Sequence, residues 1–170
     1  MIKFKKIAIL AVIIIIGGFA SLFAMRDRGN NNESVFCIQD AKLCSNGSYV
    51  SRVPPKCGFA LCPKEDLIMV ESPKPREKIS SPISIKGRAR GTWFFEATFP
   101  IKLYGEAGEL IAQSYATAQS EWMTTDFVSF EANLEFTIDK EQAGILVLEK
   151  DNPSGLPEHS NEIRVPVILK

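Results

Sequence analysis

The sequence predicts an all-β fold, an antiparallel sandwich of about seven strands, on three observations. Residues 127–138 set Val128, Phe130, Ala132, Leu134, Phe136 and Ile138 in strict alternation with Ser129, Glu131, Asn133, Glu135 and Thr137, a period of two that no helix places on one face. From residue 64 onward, turn residues recur roughly every ten positions between short apolar runs. No segment outside the amino terminus carries a helical period. An apolar content of 45% against 24% charged residues supports a packed core and excludes a globally disordered chain.

The chain divides into four parts. Residues 1–28 hold KFKK and then an uncharged, mostly aliphatic run of 18 at residues 7–24. As a helix this run spans roughly 27 Å, close to the thickness of a bilayer core. It exceeds the usual apolar stretch of a cleaved signal, so an uncleaved transmembrane helix is the expectation. A signal cut near Ser21, releasing a secreted chain, is the alternative. The basic amino terminus places that end in the cytoplasm and exports the remainder of the chain. Residues 29–36 are polar and asparagine-rich, a flexible tether.

Residues 37–63 contain all four cysteines, Cys37, Cys44, Cys57 and Cys62. An even count in an exported chain predicts two disulfides, with three pairings open. Zinc is the alternative, but the tight two-residue spacing of zinc ribbons is missing. A segment this short cannot hold itself by apolar burial, so it reads as a stapled minidomain.

Residues 64–170 form the sandwich. Residues 67–70 are its first strand, at an edge, because prolines come next. Ile83, Ile85, Gly87 and Ala89 point one way from the second strand and Ser84, Lys86, Arg88 and Arg90 the other. Ile101 and Leu103 point inward and Lys102 and Tyr104 outward, whereas residues 110–116 make a strand with no assignable inner face. Residues 145–149 (ILVLE) carry a continuous apolar run, closed by Glu149 and suited to a central strand. Ile163, Val165, Val167 and Leu169 alternate in the last strand, where Pro166 suggests an edge. About seven such strands describe a sandwich of immunoglobulin type. With no cysteine beyond Cys62, it lacks an intersheet disulfide.

Three stretches carry a resemblance. Residues 81–103 (SPISIKGRARGTWFFEATFPIKL), 121–136 (EWMTTDFVSFEANLEF) and 144–158 (GILVLEKDNPSGLPE) together resemble the bacterial spore-germination-associated immunoglobulin-like domain, over roughly residues 68–169. The resemblance implies an exported, non-enzymatic sandwich in a cell-surface or envelope protein, without cofactor. The separate sporulation and germination module that can accompany this domain is missing here, and a four-cysteine segment stands in front instead.

Candidate binding residues fall in two groups. Trp93, Phe94, Phe95 and Phe99, with Trp122, crowd one region. Alternation cannot bury Phe94 and Phe95 on one side unless a bulge intervenes, so at least one aromatic is expected near the surface; the cluster reads as core packing, with a platform for a glycan or peptide as the alternative. Lys86, Arg88 and Arg90 share the outer face of one strand, downstream of Lys74, Arg76 and Lys78. They read as a stripe for anionic polymer or headgroups, or as cations paired across strands with Glu131 and Glu135. Glu149, Asp151, Asn152 and Glu158 bracket a turn, but without an EF-hand pattern, and no metal is predicted.

Catalysis finds little support. His159 is the only histidine and has no serine elbow to serve, and paired carboxylates such as Glu96 and Glu149 are what glycosidase chemistry would draw on. Beyond residue 28 the chain carries 15 basic and 19 acidic groups, a sign unsuited to nucleic-acid binding. The expected function is a non-enzymatic envelope binding or adhesion module, displayed outside the cytoplasmic membrane and recognising an envelope protein or wall glycopolymer. The alternatives are a passive structural or assembly component and a glycan-processing enzyme.

Overall fold

A computed structural model describes residues 35–170. The expected transmembrane helix and most of the tether lie outside the described residues. Among those described, no helix is long and apolar enough to cross a membrane.

The cysteine segment forms a three-stranded antiparallel sheet of β1 (Ala41–Leu43), β2 (Tyr49–Val53) and β3 (Gly58–Phe59), with β2 in the middle. The SNGS turn between β1 and β2 closes through Gly47 N–H to Cys44 O (2.8 Å) and Ser48 N–H to the Asn46 side-chain oxygen (3.1 Å). Of the three pairings the sequence leaves open, the chain adopts Cys37–Cys57 and Cys44–Cys62. No free thiol remains.

Eight strands build the sandwich, one more than predicted. They are β4 (Ile68–Ser72), β5 (Lys78–Ile79), β6 (Ile83–Arg90), β7 (Thr98–Gly105), β8 (Leu110–Ala118), β9 (Phe127–Leu134), β10 (Gln142–Glu149) and β11 (Glu162–Leu169). The additional strand is β5, only two residues long, hidden in the proline-rich stretch and parallel to the end of β11. Hydrogen bonding runs β4-β6-β9-β8-β7-β10-β11-β5, which amounts to two sheets joined by one strand. Along most of its length β8 pairs with β7, and only Thr117 and Ala118 pair with β9.

The alternation read from the sequence is the inner face of these sheets. Ile85, Ala89, Val128, Phe130, Ala132 and Leu134 of one sheet share a core with Ile101, Leu103, Leu146, Leu148, Val165 and Val167 of the other. Each large aliphatic or aromatic side chain buried this way contributes about 1.5–3 kcal/mol. The packing is so close at Gly87 that a Cβ there would overlap the Met69 carbonyl and the Phe130 ring. β4 is an edge strand, as its prolines suggest. Pro166 stands just before the residues of β11 that pair with β5, so β5 and not β11 is the outermost strand on that side.

The cysteine unit lies against one strand of each sheet. Ser45 Oγ donates to Val70 O on β4 (3.3 Å), and Lys64 Nζ donates to Glu162 O at the start of β11. The β4 edge is thereby partly covered, which limits edge-to-edge pairing with other chains. Glu65 fastens the junction: its carboxylate accepts Lys42 Nζ at 2.6 Å and Cys62 N–H at 2.9 Å. The Lys42 hydrogen bond first, and the Cys62 N–H second, hold the Glu65 pKa below its ordinary 4.5.

A carboxylate whose pKa is lowered by folding stabilises the folded state above the unfolded value and ceases to do so as pH falls through the folded one. Amide exchange in β1 and β2 is therefore expected to quicken as pH drops below about 4.5, beyond the intrinsic change in exchange rate. Glu65→Gln should abolish that extra pH dependence. An unchanged profile in the variant would remove Glu65 as the fastening group.

Candidate binding surface

Three connections meet at one end of the sandwich. The pairings Arg90 with Phe127, Leu148 with Ile101 and Glu149 with Glu162 bring together the β6–β7 loop (residues 91–97), the β8–β9 loop (119–126) and the β10–β11 loop (150–161). Backbone hydrogen bonds clamp them: Gly91 N–H to Asp126 O (3.0 Å), Asp151 N–H to Trp93 O (3.0 Å) and Ala118 N–H to Ala97 O (2.8 Å). Gly91 is required where it stands, since a Cβ would overlap the carbonyl oxygens of Trp122 and Thr124. In immunoglobulin-type variable domains the recognition loops sit at one end in the same way.

The β6–β7 loop decides the fate of the aromatic cluster. A 3-10 turn at Gly91–Trp93, closed by Phe94 N–H to Gly91 O (3.1 Å), breaks strand alternation. Trp93 and Phe94 consequently both turn inward and are buried. For these two the core-packing reading holds, which corrects their place among the candidate surface residues. They pack edge-on around the buried Phe99, with ring centroids 6.5 and 5.1 Å away, and Phe130 closes the cluster at 5.0 Å. Phe95 is the aromatic left outside, 43% exposed. It pairs with Thr98 around Glu96 and Ala97, both left-handed (φ 49° and 63°). That is a two-residue hairpin loop without the Asn-Gly residues that usually form one.

Trp122 is partly buried, beside a shallow depression lined by Phe94, Met123, Thr92 and Thr124. Met123, 74% exposed, is a member of this surface that sequence reasoning misses. Its one signal is an apolar residue placed directly before the polar run TTD.

The basic stripe does point outward, yet each cation has a partner. Lys86 Nζ lies 3.0 Å from Glu131, and Arg88 Nε lies 3.1 Å from Glu71. Lys86, and secondarily Ser84, keep the Glu131 pKa below the ordinary carboxylate value. Arg90 covers the Phe127 ring at 4.1 Å and donates to Asp66 O (2.9 Å) and Thr125 O (3.2 Å). The stripe is thus cross-strand pairing and loop support, with its charge already answered.

The β10–β11 loop lines a polar hollow with Lys64, Pro100, Glu149, Asp151 and Asn152 among its walls. Glu149 is held by Lys102 at 2.8 Å, which raises the lysine's pKa. Asn152 is spent inside the loop, donating to Leu156 O (2.8 Å) and Ser160 Oγ (3.0 Å). Among the described residues no three His, Cys, Asp or Glu side chains stand together as metal ligands.

His159 does find a serine: its Nδ1 is 3.0 Å from Ser154 Oγ. The serine's single proton goes to the Asn152 side-chain oxygen at 2.6 Å. Nδ1 must then carry a hydrogen and donate it to the serine, the opposite of what a general base does. The contact closes a turn.

The family model of the immunoglobulin-like domain of bacterial spore germination matches residues 67–155, from the start of β4 into the β10–β11 loop. No curated protein and no solved structure matches the chain.

Proposed function

Because the chain belongs to the family of immunoglobulin-like domains of bacterial spore germination, we propose that it is a non-enzymatic binding module of the cell envelope. Residues 7–24 anchor it in the cytoplasmic membrane, and the folded part is displayed on the outer side. The loop end of the sandwich makes the contact, with an envelope protein or wall glycopolymer as its partner. One observation carries this reading: three loops from both sheets are clamped at one end, and two of them, β6–β7 and β8–β9, form a depression that Trp122 and Met123 line. Aromatic residues in such positions dominate binding energies where a partner covers them.

Pull-down with purified residues 29–170 against wall polymer, peptidoglycan and extracted envelope proteins tests it. The expected result is saturable binding that Trp122→Ala weakens about 30-fold, while Lys86→Gln on the paired stripe changes it little. Absence of saturable binding to any of these would leave the sandwich a passive spacer. Turnover of a glycan, lost on replacing Glu96 or Glu149, would make the chain an enzyme.

A further inference from the structure

The three-stranded cysteine unit leaves its apolar face uncovered. Directly opposed residues of an antiparallel pair share a face, and the pairings Ala41 with Ser51, Leu43 with Tyr49 and Val53 with Gly58 define one face of its sheet. All six residues on that face are exposed, with Tyr49 at 59%, and Ser51 is the one polar side chain among them. Lys42, Val50, Arg52 and Phe59 occupy the opposite face and are more covered. There Arg52 is tied to Asp40 at 2.6 Å and stacked on Phe59 at 4.2 Å. A sheet with one wet face normally turns its polar residues to water. This one leaves its apolar face to solvent and carries its charges, half-covered, on the other, and an exposed apolar face of that kind marks a contact.

We infer that this face docks on the outer surface of the lipid bilayer, a step that rests on the proposed anchoring by residues 7–24. Chain length argues for the bilayer. The ten residues 25–34 separate the apolar run from Val35. They reach at most about 35 Å fully extended and about 18 Å as a flexible coil. An anchored chain therefore keeps the cysteine unit within reach of the headgroups. So short a tether raises the effective concentration of the surface to the millimolar range, enough for a small patch to be occupied.

Charge argues the same way. Residues 35–63 carry Lys42, Arg52 and Lys56 against Asp40, whereas residues 64–170 carry 12 basic and 17 acidic groups. Glu65 and Asp40 answer Lys42 and Arg52, so Lys56 is the cation the unit offers to anionic headgroups, which repel the acidic second part. Tyr49 is a residue type enriched at the membrane interface. The chain also enters the unit through Phe36 and Ile38, which are 91% and 78% exposed.

The full chain, reconstituted in vesicles of phosphatidylcholine with a minority of phosphatidylglycerol, provides the test. Tyr49→Trp places an indole on the face, and the parent protein supplies the background from Trp93 and Trp122. Retention on the vesicles after an alkaline wash reports the anchor. Quenching of the added emission by acyl-chain-brominated phosphatidylcholine reports docking. The expected result is a retained chain whose added emission is quenched. Adding Leu43→Asp and Val53→Asp should abolish the quenching but not the retention, with both disulfides verified by mass.

A retained chain whose added indole is not quenched overturns docking and leaves the anchor standing. If that indole is also shielded from aqueous acrylamide, a protein surface covers the face instead of lipid. A chain that washes off the vesicles overturns both readings.

Discussion

Phe99→Ala should lower the stability of the sandwich by about 3–5 kcal/mol, the range for emptying an aromatic site in a core that cannot collapse. Phe99 is fully buried and sits between Trp93 and Phe94 on one side and Phe130 on the other. Its removal loses three edge-on ring contacts as well as the buried area, each contact worth about 0.5–1.5 kcal/mol. The cavity would open beside Trp93, whose indole Nε1–H is already buried without a partner. Domains of this size are stable by roughly 5–15 kcal/mol in total, so about a fifth or more of the reserve is at stake. Urea unfolding should show a lower midpoint with an unchanged slope. Phe95→Ala, four residues away in sequence but half exposed, should shift stability by no more than about 0.5 kcal/mol. Equal losses for the two variants would mean that the inward turn at Gly91–Trp93 does not form. Phe99 and its neighbours also prop the β6–β7 loop from beneath, so the Phe99 variant should quicken amide exchange across residues 91–97.

That pair of phenylalanines shows where reading a sequence by periodicity succeeds and where it stops. Along β6, β7, β9 and β11 the chain is extended, successive side chains must alternate, and the inner positions named from the sequence are those of the core. The rule presupposes a strand. At Gly91 the chain tightens into a 3-10 turn, adjacent side chains no longer oppose each other, and Trp93 and Phe94 enter the core together. Nothing in RGTWFFEATF announces that turn except the glycine. The two left-handed residues after it, Glu96 and Ala97, are not the types that normally signal such a loop.

The failure at residues 110–116 has a different cause. β8 lies at the margin of one sheet and crosses to the other at Thr117 and Ala118. It therefore has no single buried face, and Ala116 is the one fully buried residue along it. β5 is invisible to periodicity because two residues cannot establish a period. The basic stripe faces outward as alternation requires, but only part of its pairing is legible. Glu131 lies opposite Lys86 in the β6–β9 register, whereas Glu71 reaches Arg88 from a strand whose pairing only the fold reveals. The loop cluster is the least legible part, because three segments far apart in the chain meet there through register alone.

Replacing Cys44 and Cys62 by serine should unfold the three-stranded unit and spare the sandwich. Of the unit's residues only these two cysteines are buried, so covalent closure and not apolar burial holds β1, β2 and β3 together. The Cys44–Cys62 link closes a separation of 18 residues and Cys37–Cys57 one of 20. Chain entropy assigns about 3 kcal/mol to a loop of either size, more than a small sheet with one wet apolar face has to spare. The hydrogen bonds at the junction with the sandwich are made by the Ser45, Lys64 and Glu65 side chains, and none of these enters the β7–β10 core.

Hydrogen exchange of the double serine variant should therefore find the β1 and β2 amides exchanging as if unfolded, with those of β7 and β10 still protected. The main unfolding transition should move by no more than about 1 kcal/mol. A joint loss of protection in both parts would mean that the cysteine unit is an integral layer of the sandwich. With separate losses, oxidation of Cys44 and Cys62 is what assembles the apolar face, and the sandwich folds without it.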